Sequence, residues 1–441
     1  MRTAAVVVAA VGLVAALPSP ALPQLPEPVF WHLRSGLRVL AQELPANGLV
    51  AVSVLVGAAP RVEEPGQAGI SILTREVMLR GTVRRTGDEV AEVLDSLGAS
   101  LRALTGPDHT EWTLLVPAEH VDPALDLLVE VLTRPRFAPE DVDSQRRITL
   151  VRLRQQQDQP QARAVELVNG LLYRWHPYRH PLLGTPETLA RLSRDDLVRY
   201  HAAFYTAPNV VVSVAGELPV PVAVAKVQRA FAGLRNDPLP PRVRLLDVAE
   251  RALAEQPRSR REVREPQQTA SAWIAVGYLG VGVGHPDWPA LRVAATLLGG
   301  GMASRLFQSV REREALAYAV GAGLPTQRGP AALTVTAGVE AANVDRAVAA
   351  ILREVERLRT ERAPEDEVAR ARSRVVGLHL LDHEDLRRRA FYPAWYELLG
   401  VGYRFDARLQ QLVSRVTAAD VQRVARRYLV SPAVAVVGPA R

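Results

Sequence analysis

The strongest constraint on this chain is that its sequence runs twice. Asp196-Leu197-Val198-Arg199, followed by Phe204 and by Pro208 ahead of Val210-Val211-Val212, has a counterpart later in the chain. It recurs as Asp420-Val421-Gln422-Arg423, followed by Tyr428 and by Pro432 ahead of Val434-Ala435-Val436. Ala138-Pro139-Glu140-Asp141 recurs as Ala363-Pro364-Glu365-Asp366, and Val121-Asp122 as Val344-Asp345. The three landmarks return at nearly one spacing, which implies duplication of a unit of about 220 residues, the size of a domain. A chain of 441 residues is also too long for a single core.

Each half mixes strands with helices. Val50 to Val56 alternates with the period of a half-buried strand, and Trp112–Val116 and Val210–Val214 are further strands. Asp122–Leu132 and Val344–Leu358 carry apolar residues at helical spacing. The expected fold class is therefore α+β: two homologous α/β-sandwich domains, each a mixed or antiparallel sheet with helices on one face. Asn236-Asp237-Pro238-Leu239-Pro240-Pro241 and the charged run through Arg258-Ser259-Arg260-Arg261 mark a linker. The expected organisation is a signal peptide over 1–23, a first domain over 24–234, a linker over 235–262 and a second domain over 263–441.

The leader reading rests on Arg2, an apolar stretch from Ala4 to Leu17 and a small-residue site at Ser19-Pro20-Ala21. That stretch is shorter than the roughly 20 residues a membrane span needs. No other segment has that length, so a soluble periplasmic or secreted protein is expected. There are no cysteines, which excludes disulfides and thiolate metal sites. The net charge of +7 arises from 54 basic residues interspersed with 47 acidic ones, a solvated surface rather than the concentrated patch of a nucleic-acid binder.

Residues Ala68-Gly69-Ile70-Ser71-Ile72 through Gly81-Thr82 carry the frame of a known active site without its chemistry. They resemble the zinc helix of the insulinase/pitrilysin metallopeptidases, A-G-[ILV]-A-H-x-x-E-H-x-L-x-x-G-T. In that motif two histidines bind zinc and the glutamate activates water. Here Ile72 stands at the first histidine, Arg75 at the glutamate and Glu76 at the second histidine. The family's third ligand is a glutamate about 76 residues further on, a spacing that reaches Arg152 in a segment without carboxylates. These residues cannot hold a cation, so no metal is expected in this chain, and Arg75 and Glu76 read as the surface of an ordinary helix. His379 and His383 share a helical face at i, i+4 beside Glu384, but no third ligand can be named, and they read as surface residues. His176 and His180 flank Pro177 and Pro181 and read as structural.

The second half keeps more of the family pattern. Gly299-Gly300-Gly301-Met302-Ala303-Ser304-Arg305-Leu306-Phe307 matches G-G-G-M-x-S-R-L-F. Without a following lysine or P-loop spacing, its glycines read as a loop for close backbone approach rather than a phosphate cradle. Val310-Arg311-Glu312 to Leu316-Ala317-Tyr318 resembles V-R-E-x-x-x-L-[AG]-Y, whose arginine and tyrosine contact bound peptide in relatives. By resemblance, Arg311 and Tyr318 are the substrate-binding pair, and the two halves close as a clamp. Some members of the family are two-chain enzymes in which one chain carries zinc and a degenerate partner completes the chamber. The resemblance thus implies an exported subunit that is inactive alone, holding unfolded peptide against a zinc-bearing homologous partner. The alternative is a non-enzymatic scaffold or peptide-binding protein reusing the fold.

Overall fold

The computed structural model describes residues 26–174, 176–241, 243 and 259–440. The expected leader, most of the expected linker and Trp175 lie outside the described residues.

The first half forms strands β1 (Val29–His32), β2 (Arg38–Glu43), β3 (Leu49–Val56), β4 (Ser100–Thr105), β5 (Thr110–Pro117) and β6 (Val210–Gly216). Its helices are α1 (Ile70–Met78), α2 (Gly87–Ser96), α3 (Val121–Thr133), α4 (Pro139–Gln157), α5 (Pro160–Leu172), α6 (Pro186–Arg191), α7 (Arg194–Phe204) and α8 (Val220–Ala230). The second half supplies β7 (Arg261–Pro266), β8 (Ser271–Leu279), β9 (Ala317–Gly323), β10 (Ala332–Glu340) and β11 (Ala433–Gly438). With them come α9 (Trp288–Gly299), α10 (Val344–Thr360), α11 (Glu365–Asp382), α12 (Leu386–Leu399), α13 (Phe405–Ser414) and α14 (Ala418–Tyr428).

The duplication is visible in the sheets. The first has the order β1-β2-β6-β3-β5-β4 and the second β7-β11-β8-β10-β9. In each, one parallel pair (β2 with β6, β7 with β11) joins a run of antiparallel neighbours. Only β1, a hairpin partner of β2, has no counterpart among the described strands. The repeated motif of the sequence also has one structural role in both halves. Ser193 caps α7 and Thr417 caps α14, each in a reciprocal box with the aspartate three residues on, Asp196 or Asp420.

Within each half the helices stack on one face of the sheet. Val50, Val52, Val54 and Val56 meet Ile70, Leu73 and Val77 of α1 and the apolar faces of α3 and α7. The opposite face is covered as well, by a helix from the other half. Phe391, Ala394 and Leu398 of α12 lie on Leu40, Leu55 and Val211 of the first sheet. Ala164, Val168 and Leu172 of α5 lie on Ala275, Leu279, Ala433 and Ala435 of the second. β3 is consequently buried on both faces, which corrects its reading as a half-buried strand: its Ser53 and Leu55 side lies under α12 rather than in water.

A polar joint accompanies this exchange. Tyr178 donates to Asp108 Oδ1 (2.5 Å), and Asp108 Oδ2 accepts from the backbone N–H of Arg328 (3.0 Å). Tyr173 donates to the carbonyl of Pro330 (3.0 Å) and accepts from the N–H of Ala332 (2.9 Å). His176 is buried in the same joint, accepts from the N–H of Tyr178 and has a pKa lowered to about 4 by that burial.

Candidate functional site

Helix α1, whose sequence resembles the zinc motif, is entirely buried. Every residue from Ile70 to Met78 is shielded, with Arg75 8 % and Glu76 9 % exposed. The reading of Arg75 and Glu76 as a surface is therefore corrected: α4, α7 and strand β4 pack against their helix. The helix enters from Gly69, whose φ of 93° is in the left-handed region, and a Cβ there would stand 2.7 Å from the carbonyl of Leu183. Glu63 accepts from two backbone N–H groups at the start of the helix, Gly69 N (2.9 Å) and Ser71 N (3.0 Å), and from the Ser71 hydroxyl (2.5 Å). Burial raises the Glu63 pKa to about 7.

The four positions that would make a metal centre do converge. Glu76 Oε1 accepts from Arg75 at 2.6 Å and from Arg152, 76 residues along the chain on α4, at 2.5 Å. Arg75 also reaches the carbonyl of Ala103 on β4 (3.4 Å). Ile72, 4 % exposed, presents only hydrocarbon. A zinc ion needs three donors at 2.0–2.3 Å and an open position. This cluster offers one carboxylate, already bonded to two guanidinium groups that would repel a cation. The residues do not fit the metal: an ion-pair triad occupies its place.

Arg311 lies in a π-helical turn, Phe307–Arg313, with its guanidinium 4.7 Å from the Phe307 ring centre and its Nε 3.7 Å from Glu312. Tyr318 lies on β9, the edge strand of the second sheet, and is 51 % exposed. Its hydroxyl is 3.3 Å from Ser271 Oγ, and its ring meets Trp273 edge-on. The two residues thus sit on successive elements, each held by its own neighbours.

The glycine loop is a close-approach device. A Cβ on Gly299 would stand 2.2 Å from the backbone N of Ala322 on β9, and one on Gly301 would stand 2.9 Å from the Arg374 guanidinium carbon. Between the halves lies a cleft of about 620 Å³ bordered by Tyr173, Tyr178 and His180 on one side and Leu324, Gln327 and Thr336 on the other. Neither the Glu76 triad nor Arg311 and Tyr318 line it.

The sequence reading missed one residue of chemical interest, Asp406. It stands on α13 within reach of His379 and His383. Those histidines are half-buried in a helix junction rather than on the surface.

Fold and site together describe a duplicated α+β scaffold in which Glu76 is held between Arg75 and Arg152. Residues 38–186 match the model of the insulinase family (peptidase family M16), and residues 191–375 match that of the peptidase M16 inactive domain. An uncharacterized zinc protease of Mycobacterium bovis is 30% identical over 403 residues, covering 90% of each chain. One from Rickettsia bellii is 25% identical over 410 residues, or 92% of this chain and 96% of the relative. Among solved structures, the peptidase M16 inactive domain from Pseudomonas fluorescens superposes with a TM-score of 0.84 at 20% identity, covering 94% of this chain and 98% of that one. A protease from Helicobacter pylori gives 0.84 at 19%, covering 94% and 100%. The structural likeness shows the fold. With the family models and the relative of M. bovis, it is clear that the chain belongs to the insulinase family, M16.

Proposed function

We propose that this protein is the non-catalytic subunit of an exported two-chain zinc metallopeptidase, presenting unfolded peptide to a homologous partner that carries the zinc. The observation that carries the reading is the Glu76 triad: the only carboxylate at the metal position is consumed by Arg75 and Arg152. The relatives are named uncharacterized zinc proteases, while the zinc-motif positions of this chain hold Ile72, Arg75, Glu76 and Arg152.

The second half supports the substrate role. Among the described strands β9 pairs only with β10, so its outer edge can accept an extended peptide as an added strand. Recognition of that kind reads backbone rather than side chains, which suits a broad range of unfolded substrates. Tyr318 on that edge offers a hydroxyl donor to a peptide carbonyl, and Arg311 offers a fork for a carbonyl or carboxylate.

The test is cleavage of an unstructured peptide by the purified chain mixed with a zinc-bearing homologue from the same organism. Each polar contact to a charged group contributes about 1.5–3 kcal/mol. Arg311→Ala is therefore expected to lower kcat/KM of the mixture by roughly 10- to 100-fold, and Tyr318→Phe, which removes a neutral hydrogen bond of about 0.5–1.5 kcal/mol, by roughly 2- to 10-fold. Unchanged cleavage in both variants would remove the assigned role. Crosslinking in native extract to an assembly lacking any zinc-bearing homologue would favour the scaffold instead.

A further inference from the structure

A second cluster of metal-binding side chains lies far along the chain from the degenerate site, where α11, α12 and α13 meet. His379 is in the last turn of α11, His383 caps its C-terminus, and Asp406 is in the first turn of α13. His383 Nε2 is 2.9 Å from Asp406 Oδ2, and His379 Nε2 is 3.3 Å from Asp406 Oδ1. One ligand atom from each residue lies within 4.8 Å of the others.

The hydrogen bonding around His383 leaves one ring nitrogen facing a carboxylate. Its Nδ1 faces the carbonyl of His379 at 2.7 Å, which fixes the Nδ1–H form and turns the Nε2 lone pair towards the carboxylate. Two lone pairs 2.9 Å apart require a positive charge between them, a proton or a cation. Asp406 Oδ1 is buried and accepts no hydrogen bond, so it too has an unused lone pair. A tetrahedral ion about 2.0–2.2 Å from each donor holds its ligands about 3.3–3.6 Å apart, so the two histidine–carboxylate pairs, at 2.9 and 3.3 Å, need open only by a few tenths of an ångström to admit it.

The surroundings are ordered. The Tyr392 ring of α12 stacks on His383 at 4.6 Å and 10°, and its hydroxyl donates to Asp382 (2.5 Å). Asp382 adds a second negative charge near His379, while Arg389 is the opposing charge near His383. The three side chains are 12 to 17% exposed, open enough for an ion to enter and shielded enough to hold it.

We propose that His379, His383 and Asp406 form a site for a borderline divalent transition ion of the zinc or cobalt class. Three protein ligands leave a position for water. The ion would join α11 to α13 around α12, the helix that the second half lays on the first sheet.

The probe is Co²⁺ alone, titrated into the untagged full chain. Stoichiometric binding with the intense visible bands of a low-coordinate ion is expected. Asp406→Asn and His379→Gln should each weaken binding at least tenfold, and His180→Gln should leave it unchanged. A spectrum that stays that of the hydrated ion, or equal affinity in both ligand variants, would overturn the site. Should those variants misfold, nitrogen NMR of the histidine-labelled wild-type chain decides. Zn²⁺ should move one Nε2 resonance from the His383 ring while its Nδ1 stays protonated, and unmoved resonances would refute the proposal.

Discussion

Replacing Glu76 by glutamine tests whether the former metal position is now a structural ion pair. The change keeps the shape and one acceptor but leaves the Arg75 guanidinium buried without a counter-charge. Its remaining contact is the Ala103 carbonyl at 3.4 Å, and its Nε has no partner. Breaking a buried pair by removing one member costs roughly 3–5 kcal/mol. The amide oxygen of glutamine returns about 1 kcal/mol as a neutral acceptor. Arg152 is 47% exposed and can swing into water, so its share stays within the ~0–1 kcal/mol of a surface pair. The expected net loss is therefore about 2–4 kcal/mol for Glu76→Gln and below about 1 kcal/mol for Arg152→Ala. Replacing both Arg75 and Glu76 by methionine removes charge and counter-charge together and should stay within about 1 kcal/mol of the parent. Urea unfolding followed by tryptophan emission reads all three, because Trp112 is wholly buried in the core that α1 joins. A silent Glu76→Gln, or a double replacement worse than the single one, would refute the argument.

The remaining predictions concern Glu63 and the exchanged helices. Glu63 has a folded-state pKa of about 7, above its usual 4.5, so the folded chain binds this proton more tightly than the unfolded one. Its contribution is therefore most favourable below pH 4.5 and declines as pH rises to about 7, by about 3 kcal/mol. Glu63→Gln should remove that slope, so the stability of the variant relative to the parent rises across this window; parallel pH profiles would contradict it. A Cβ on Gly277 of β8 would stand 2.5 Å from Val168 and 2.7 Å from Leu172 of α5. Gly277→Val should thus cost about 1–3 kcal/mol by overpacking the seam between the halves, read as a lowered denaturation midpoint.

Much of the fold was legible because it is local. Alternation placed β3, β5 and β6, the helical period placed α3 and α10, and the 223 to 225 residue spacing announced that two sheets would share one strand order. The degenerate site was legible in the same way: the spacing from Glu76 led to Arg152, and the two side chains do meet. The environment of those residues was not legible. Periodicity reports which face of a strand or helix is apolar, but not whether the polar face meets water or another segment. Ser53 and Glu76 both lie on faces that read as exposed and are buried.

What the sequence determined by itself was the doubled α+β plan, because residue identity and spacing suffice for it; the absence of zinc ligands at Ile72, Arg75, Glu76 and Arg152 followed from its resemblance to the family motif. Tertiary structure alone decided three things: the exchange of α5 and α12, the burial of Arg75 and Glu76 with a half-exposed Arg152 closing the triad, and the arrival of Asp406 beside His379 and His383. Each depends on contacts between segments distant in the chain. Their geometry is set by how helices pack across two sheets, which no local pattern records.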